Sequence, residues 1–501
     1  MLVDRSALSA GQTLDADLVV IGAGAAGITI ARQLANTATR VLLVEGGGYE
    51  PSERSQALYA MAMDDRYAKN DREKNYATRE RLRFFGGTTN HWAGWCRPLE
   101  PEDFGARAWV PDSGWPLTFD ELRPWYEQAQ PILGLARFAD QVGAPPDHQV
   151  GLGADFTTRR FHFSHPPTRF GPRYKAELEA APNVQVLLEA NVLRLHASAD
   201  KARVERASVQ LEDGPRIDVA GRAFVLATGG LENPRVLLLS EEESPGAFNR
   251  HDLVGRYFME HPHDSRAGQL AFALDADEQA LRRIYVPRPK DADGMRRKHL
   301  WFLTPETQQR EQLLQASLEV RKSKRVTDGK LAQAVDSLLT TQRSLGDAPS
   351  TARGVLLWTR CENAPRRDSR VYLGDETDRL GLRKGRIAWR LGELEARTVR
   401  WTLERFAARM GATSKGRVRI DVDRDEPFRK TWGGAHHMGT TRMADDPTRG
   451  VVDRDCKVHG LDNLWVGGSS VYPTSGVSNP TFTLTALALR LADHLKGVLA
   501  P

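Results

Sequence analysis

Between Leu18 and Glu45 the chain runs strand, glycine turn, helix, strand and acid, an order that constrains the fold more than any other stretch. Leu18-Val19-Val20-Ile21 is short and wholly apolar, as expected of a strand buried on both faces. It enters Gly22-Ala23-Gly24-Ala25-Ala26-Gly27, the G-x-G-x-x-G spacing of a dinucleotide-binding turn. Ala25 to Asn36 carries helical spacing, and a second apolar strand, Val41 to Val44, ends on Glu45. Each part has a physical task. Gly22 makes the tight turn, Gly24 lets backbone approach a pyrophosphate, and Gly27 packs helix on strand. The helix N-terminus offers free N–H groups to phosphate charge. Glu45 stands where an acid accepts hydrogen bonds from ribose hydroxyls, and its charge disfavours an NADP-type ligand. The expected ligand is an adenine dinucleotide.

Composition narrows the class. The 501 residues carry a net charge of only +5, with Lys and Arg interspersed among acids, so there is no nucleic-acid footprint. Three cysteines lie far apart and suggest neither a disulfide framework nor a metal site. There is no apolar run long enough to span a bilayer, and no basic-then-apolar signal opens the chain, so a cytoplasmic location is the default expectation.

Further along, Phe84 to Cys96 mixes glycines and hydroxyls with aromatics, as suits a loop pressed against a flat ring. Val184 to Leu188 and Ala202 to Leu211 read as strands of the dinucleotide domain, and Ala223 to Gly230 as a buried strand ending in glycines. Gln269 to Leu274, Leu300 to Leu303, Gln315 to Val320, Gly354 to Thr359 and Ile387 to Leu391 alternate like half-buried antiparallel strands. Leu331 to Leu345 and Leu394 to Met410 carry helical spacing, and the last helix is expected over Phe482 to Leu495.

In this setting the chain resembles the glucose–methanol–choline (GMC) flavoprotein oxidoreductases. The matching residues are Gly22 to Glu45, Gly86-Gly87-Thr88-Thr89-Asn90-His91-Trp92, Ala227 to Pro234, Val254-Gly255-Arg256 with His261-Pro262, and Asp368 to Val371. The most specific are His436-His437-Met438-Gly439-Thr440 and Ser478-Asn479-Pro480-Thr481. The motifs are similar to the pyranose 2-oxidase-like and bacterial sugar dehydrogenase branch. The resemblance implies an α/β protein: a Rossmann-type FAD-binding domain assembled from residues 1–100, 180–266 and 412–501. An α+β substrate domain with an antiparallel sheet, and covering segments, would come from 101–179 and 267–411. It implies FAD held by Gly22, Gly24, Gly27, Glu45, Gly87, Thr88, Asn90, His91, Trp92, Ala227, Gly468, Pro480 and Thr481, with His91 as the point a covalent link would use.

The same resemblance makes His436 and Asn479 the catalytic pair and turns His437 elsewhere. His261 and His263, in a family loop near the flavin, read as structural. The implied reaction is oxidation of an alcohol, a sugar, a glycoside or another polar secondary alcohol. Its alternatives are a lyase that keeps FAD without net redox, and a non-sugar alcohol. Ala93 replaces the Thr of pyranose 2-oxidases, which favours a quinone or haem acceptor over oxygen. A small partner subunit or a homo-oligomer stays open. Imidazole takes a hydroxyl proton at neutral pH, and an ordinary histidine would lose that ability below a pH of about 6.5. No His, Cys and acid set has metal-ligand spacing, so no metal is expected.

Overall fold

Strand Thr13–Ile21 occupies the middle of a seven-stranded sheet in a computed structural model that describes residues 1–64, 75–135, 152–273, 294–322, 352–412 and 416–500. Val41–Val44 lies parallel on one side and Arg216–Leu226 parallel on the other, with Val20 opposite both Leu43 and Val225. Val184–Leu187 extends the sheet beyond Val41–Val44. On the far side, Val204–Leu211 and Ala190–Ala197 add antiparallel strands, while Leu464–Val466 pairs in parallel with the end of Arg216–Leu226. Leu18, Val19 and Val20 are fully buried, as an apolar run in a covered parallel sheet requires.

Helix Ala25–Leu34 buries Ile28, Ile30, Ala31 and Leu34. Each large side chain of that kind contributes roughly 1.5–3 kcal/mol by leaving water. The last helix, Thr481–Val498, packs on it, although it comes from the other end of the chain. Helix Phe119–Leu133 packs on that last helix, and Tyr126 and Thr483 share a 2.8 Å hydroxyl hydrogen bond. Its start is set by a reciprocal capping box between Thr118 and Glu121, and its stop by Gly134 at φ 65°.

The second layer is an eight-stranded antiparallel sheet. Its order is Gly416–Ile420, Pro262–Ala273, Ala352–Cys361, Ala316–Lys322, Arg297–Leu303, Phe156–Phe163 and Trp95–Cys96, with Trp432–Gly433 also paired to Pro262–Ala273. Helix Glu393–Ala412 covers it through Val399, Leu403, Phe406 and Met410. Thus strand Pro262–Ala273 crosses the boundary expected at residue 266, and Trp95–Cys96, Gly416–Ile420 and Trp432–Gly433, expected with the seven-stranded sheet, pair instead in the antiparallel one. Helix Phe119–Leu133, from the covering segment, instead shares the core of the cofactor side. Arg383–Ala388 pairs with Arg370–Thr377 and Ala62–Met63 in a third, smaller sheet and not in the large one. The helix expected over Leu331 to Leu345 lies outside the described residues.

Candidate active site

A single cavity of about 680 Å³ is lined both by the glycine turn and by the His436–Asn479 pair. At the turn, Gly22 has φ +103°, and a Cβ there would stand 2.6 Å from the carbonyl oxygen of Ala227. A Cβ on Gly27 would come within 1.9 Å of the Gly22 oxygen, so this glycine lets the helix close onto the strand. Gly24 differs: nothing lies within 4 Å of the position its Cβ would take, and it lines the cavity. The Cβ position of Gly87 lies 3.1 Å from Gly24 Cα, so a second bare backbone faces the turn. That is a cradle for a pyrophosphate, open where side chains would fill it.

The other cofactor-side residues divide by role. Glu45 Oε2 accepts from the Ala23 amide at 2.8 Å and Oε1 from the Gly47 amide at 2.9 Å. The carboxylate therefore organises the turn and keeps further lone pairs for a ribose. Thr88, His91, Trp92, Ala227, Gly468, Pro480 and Thr481 all line the cavity. Trp92 is fixed by its indole N–H, which donates to the Thr168 carbonyl at 2.9 Å. Asn90 sits apart from the cavity wall: its amide donates to the Phe85 carbonyl at 2.9 Å and closes the loop that presents Gly87. Gly27, likewise, acts on the fold and not on the cavity lining.

The catalytic side is built by a mismatch in strand pairing. Met259 bridges Met438, and Pro262 pairs with Gly433, in the same antiparallel run. One segment takes three steps between those pairs while the other takes five. The surplus arches out through Ala435, held at φ 60°, and delivers His436 to the cavity. The amide of His436 donates to the Glu260 carboxyl, which anchors the arch.

One chain of hydrogen bonds then dictates the proton positions. Arg360 can only donate, and its Nη1 lies 3.1 Å from Asn479 Oδ1, so that oxygen accepts. Asn479 Nδ2 must therefore donate to His436 Nε2, at 2.8 Å. His436 Nδ1 then carries the hydrogen and donates to His261 Nδ1 at 2.8 Å. His261 Nε2–H completes the chain on the Ser475 carbonyl at 3.2 Å. The result is a His436 tautomer whose Nε2 lone pair can accept a proton, next to an amide N–H.

His261 therefore orients the His436 ring, a role that its place in the sequence did not disclose. His437 also borders the cavity, but its Nε2 meets the Tyr76 hydroxyl at 3.0 Å, and its ring stacks on Phe258.

Burial changes the titration. His436 is held well below the usual imidazole range, first by desolvation and then by the neighbouring His261 and Arg360. His261 is lowered to about 4 and His437 to about 3, again chiefly by burial. Burial thus keeps the His436 ring neutral to lower pH than the 6.5 expected of an ordinary histidine. Glu260 goes the other way, up to about 8, because its carboxyl is almost wholly buried.

His261, His263 and His436 bring ligand nitrogens within 4.8 Å of one another, a gathering that 175 residues of separation concealed. Arg360 lowers the proton affinity of all three. A field that opposes one added positive charge opposes a metal dication more strongly. Two of the nitrogens also spend themselves on each other. His436 and His261 belong to the hydrogen-bond chain, whereas His263 Nε2 is buried with no hydrogen-bond partner among the described residues.

The FAD dependent oxidoreductase family matches residues 17–319, and the GMC oxidoreductase C-terminal family matches residues 365–488. The large subunit of fructose dehydrogenase from Gluconobacter japonicus is 23% identical, over 97% of this chain and 98% of its own. Paromamine 6'-oxidase from Streptomyces fradiae is 24% identical, over 96% and 91%. Pyridoxine 4-oxidase from Mesorbium loti has the same fold, with a TM-score of 0.61 at 18% identity, over 96% of this chain and 99% of that one. The glycine cradle fits FAD, and the His436–Asn479 pair fits oxidation of a CH–OH group. This chain belongs to the glucose–methanol–choline family of FAD-dependent oxidoreductases acting on alcohols.

Proposed function

We propose that this protein oxidises an alcohol group on a sugar, a glycoside or another polar secondary alcohol, with His436 as general base and Asn479 as its partner on the substrate oxygen. The observation that carries the reading is the 2.8 Å contact of Asn479 Nδ2 with His436 Nε2 on the wall of the cavity. A hydroxyl entering between them would donate to Nε2 and accept from Nδ2, replacing one hydrogen bond with two. The hydroxyl proton passes to Nε2, while His261 keeps accepting from Nδ1–H and holds the ring in plane. FAD, when bound, supplies the acceptor for the carbinol hydride. Gly24 and Gly87 would hold its pyrophosphate, and Glu45 its ribose. The N-terminus of the last helix, at Pro480–Thr481, offers a positive dipole end to charge developing nearby.

Relatives named for sugar and glycoside substrates, among them fructose dehydrogenase and a C-glycoside 3-oxidase from Microbacterium trichothecenolyticum, support the substrate class. The test is anaerobic: purified yellow protein is mixed with a panel of alcohols and sugars, and bleaching of the flavin is followed. Turnover of a substrate without bleaching would identify a lyase and overturn the reading.

The electron acceptor is, in this reading, a quinone or a haem carrier, because Ala93 takes the Thr position on the cavity wall. Faster reoxidation by oxygen than by an artificial acceptor would reverse that choice. His91 is exposed on the same wall and available for a covalent flavin bond. Acid precipitation decides it, since flavin left wholly in the supernatant excludes the bond.

A further inference from the structure

The substrate-side wall of the cavity carries a charge imbalance that neither the base nor the cofactor cradle explains. Lys298, Arg321 and Arg360 rise from three neighbouring strands of the antiparallel sheet and converge on Glu319. Lys298 Nζ lies 2.6 Å from Glu319 Oε1, and Arg321 Nε lies 2.7 Å from the same oxygen. Arg360 reaches Glu319 only at 3.9 Å, beyond hydrogen-bond range. Among the described residues, three cations thus share one carboxylate, and two positive charges are uncompensated. Arg321 and Arg360 both line the cavity, as do His263 and Trp358.

The two guanidinium groups are held firmly. Arg321 lies over the Trp358 ring at 3.6 Å, and Arg360 sits 5.2 Å from the centre of the Trp95 ring. Arg360 spends Nη1 on Asn479, so the rest of its fork is available beside the catalytic pair. Burial of an unpaired guanidinium is unfavourable, and Arg360 is driven down to about 10 by desolvation and by Arg321. Arg321 already gives Nε and Nη2 to the two oxygens of Glu319, so the guanidinium short of counter-charge is that of Arg360, buried and stacked, and such a fork suits a planar oxyanion that takes two parallel N–H donors.

We infer that the alcohol oxidised here carries its own anionic group, a carboxylate as in a hydroxy acid or sugar acid, seated against Arg360 and Arg321. This rests on the alcohol-oxidation reading and specifies its substrate. The anion belongs close to the carbinol, because Arg360 stands one side chain from the base.

The test uses FAD-loaded protein and matched pairs: glycerate with glycerol, gluconate with sorbitol, and glucuronate with glucose. Binding is measured by calorimetry, and flavin bleaching is measured separately under anaerobic conditions. At least one acid should bind about ten- to a hundredfold more tightly than its neutral counterpart, as charge-assisted bidentate contacts allow. Arg321→Gln should narrow that ratio about tenfold. Arg360→Lys, which keeps the charge but loses the fork, should narrow it too. Should Arg360→Lys fail to load FAD, Arg321→Gln decides, since that side chain is 36% exposed and its loss leaves the core intact.

Equal binding of acids and neutral alcohols, or a ratio unchanged in Arg321→Gln, would overturn the inference, leaving the charges to act on Asn479 alone. Acid binding without bleaching by any alcohol would uphold the anion seat and overturn the alcohol reading instead.

Discussion

The cavity has two halves built on different principles. The cofactor half is made of backbone: Gly22, Gly24, Gly27 and Gly87 act by lacking a side chain, and one tight turn supplies most of the recognition. The substrate half is made of side chains drawn from distant places, Arg360, Asn479, His436 and His261, joined end to end by hydrogen bonds. Damage to the first should therefore act on folding and FAD retention, and damage to the second on chemistry alone.

The largest effect should come from Gly27→Ala, whose methyl would lie 1.9 Å from a backbone oxygen that cannot move aside. Loss of flavin from the purified protein is expected, read as the absorbance ratio of flavin to protein. Gly24→Ala sharpens the point, because its methyl meets nothing and φ is −85°. That variant should fold normally yet hold FAD weakly. If both variants load FAD fully, the backbone account of this half is wrong.

His436→Ala should slow flavin reduction about a hundred- to ten-thousandfold with FAD still bound. Asn479→Ala should cost less, since the proton acceptor stays in place. In wild-type protein, stopped-flow reduction should hold steady from pH 8 to pH 6, because burial keeps His436 deprotonated there. A rate that halves near pH 6.5 would show that the base is not desolvated.

Stability should carry the same signature. His261, His263, His436 and His437 have folded pKa values depressed below the unfolded value. Below a pH of about 6.5 the unfolded chain binds protons that the native state refuses, so stability falls as pH falls. Each such histidine contributes up to about 1.4 kcal/mol per pH unit. Glu260, raised to about 8, has the opposite sign: its contribution is full below the ordinary carboxyl range and is lost as pH rises to 8. Urea midpoints from pH 7 to pH 5 measure the acid limb. A flat midpoint would contradict the neutral, buried state of these histidines.

The smallest kinetic effect should belong to His437→Ala. It leaves the Tyr76 hydroxyl without this partner, at a cost of roughly 1–3 kcal/mol in stability, and reduction should change by less than about threefold. If His437→Ala abolishes reduction while His436→Ala does not, the roles of the two neighbours must be exchanged.

Sequence alone sufficed for the dinucleotide turn and the parallel strands around it, and it singled out His436 and Asn479, which the structure brings into hydrogen-bond contact. The first two are local: a turn, a helix and an apolar run express themselves over a few neighbouring residues. The catalytic pair was legible only through a resemblance, since no spacing relates positions 436 and 479. Tertiary structure alone decided the rest. It set His261 against the base through the uneven pairing of Met259–Pro262 with Gly433–Met438, and burial then moved the base away from its ordinary titration. It also carried Trp95–Cys96 and Trp432–Gly433 into the substrate-side sheet, because strand pairing joins segments that are remote along the chain. Along the chain Arg360 is one arginine among many. Its meaning comes from a buried position beside Asn479 and a carboxylate beyond hydrogen-bond range, and neither distance nor desolvation is written in the order of residues.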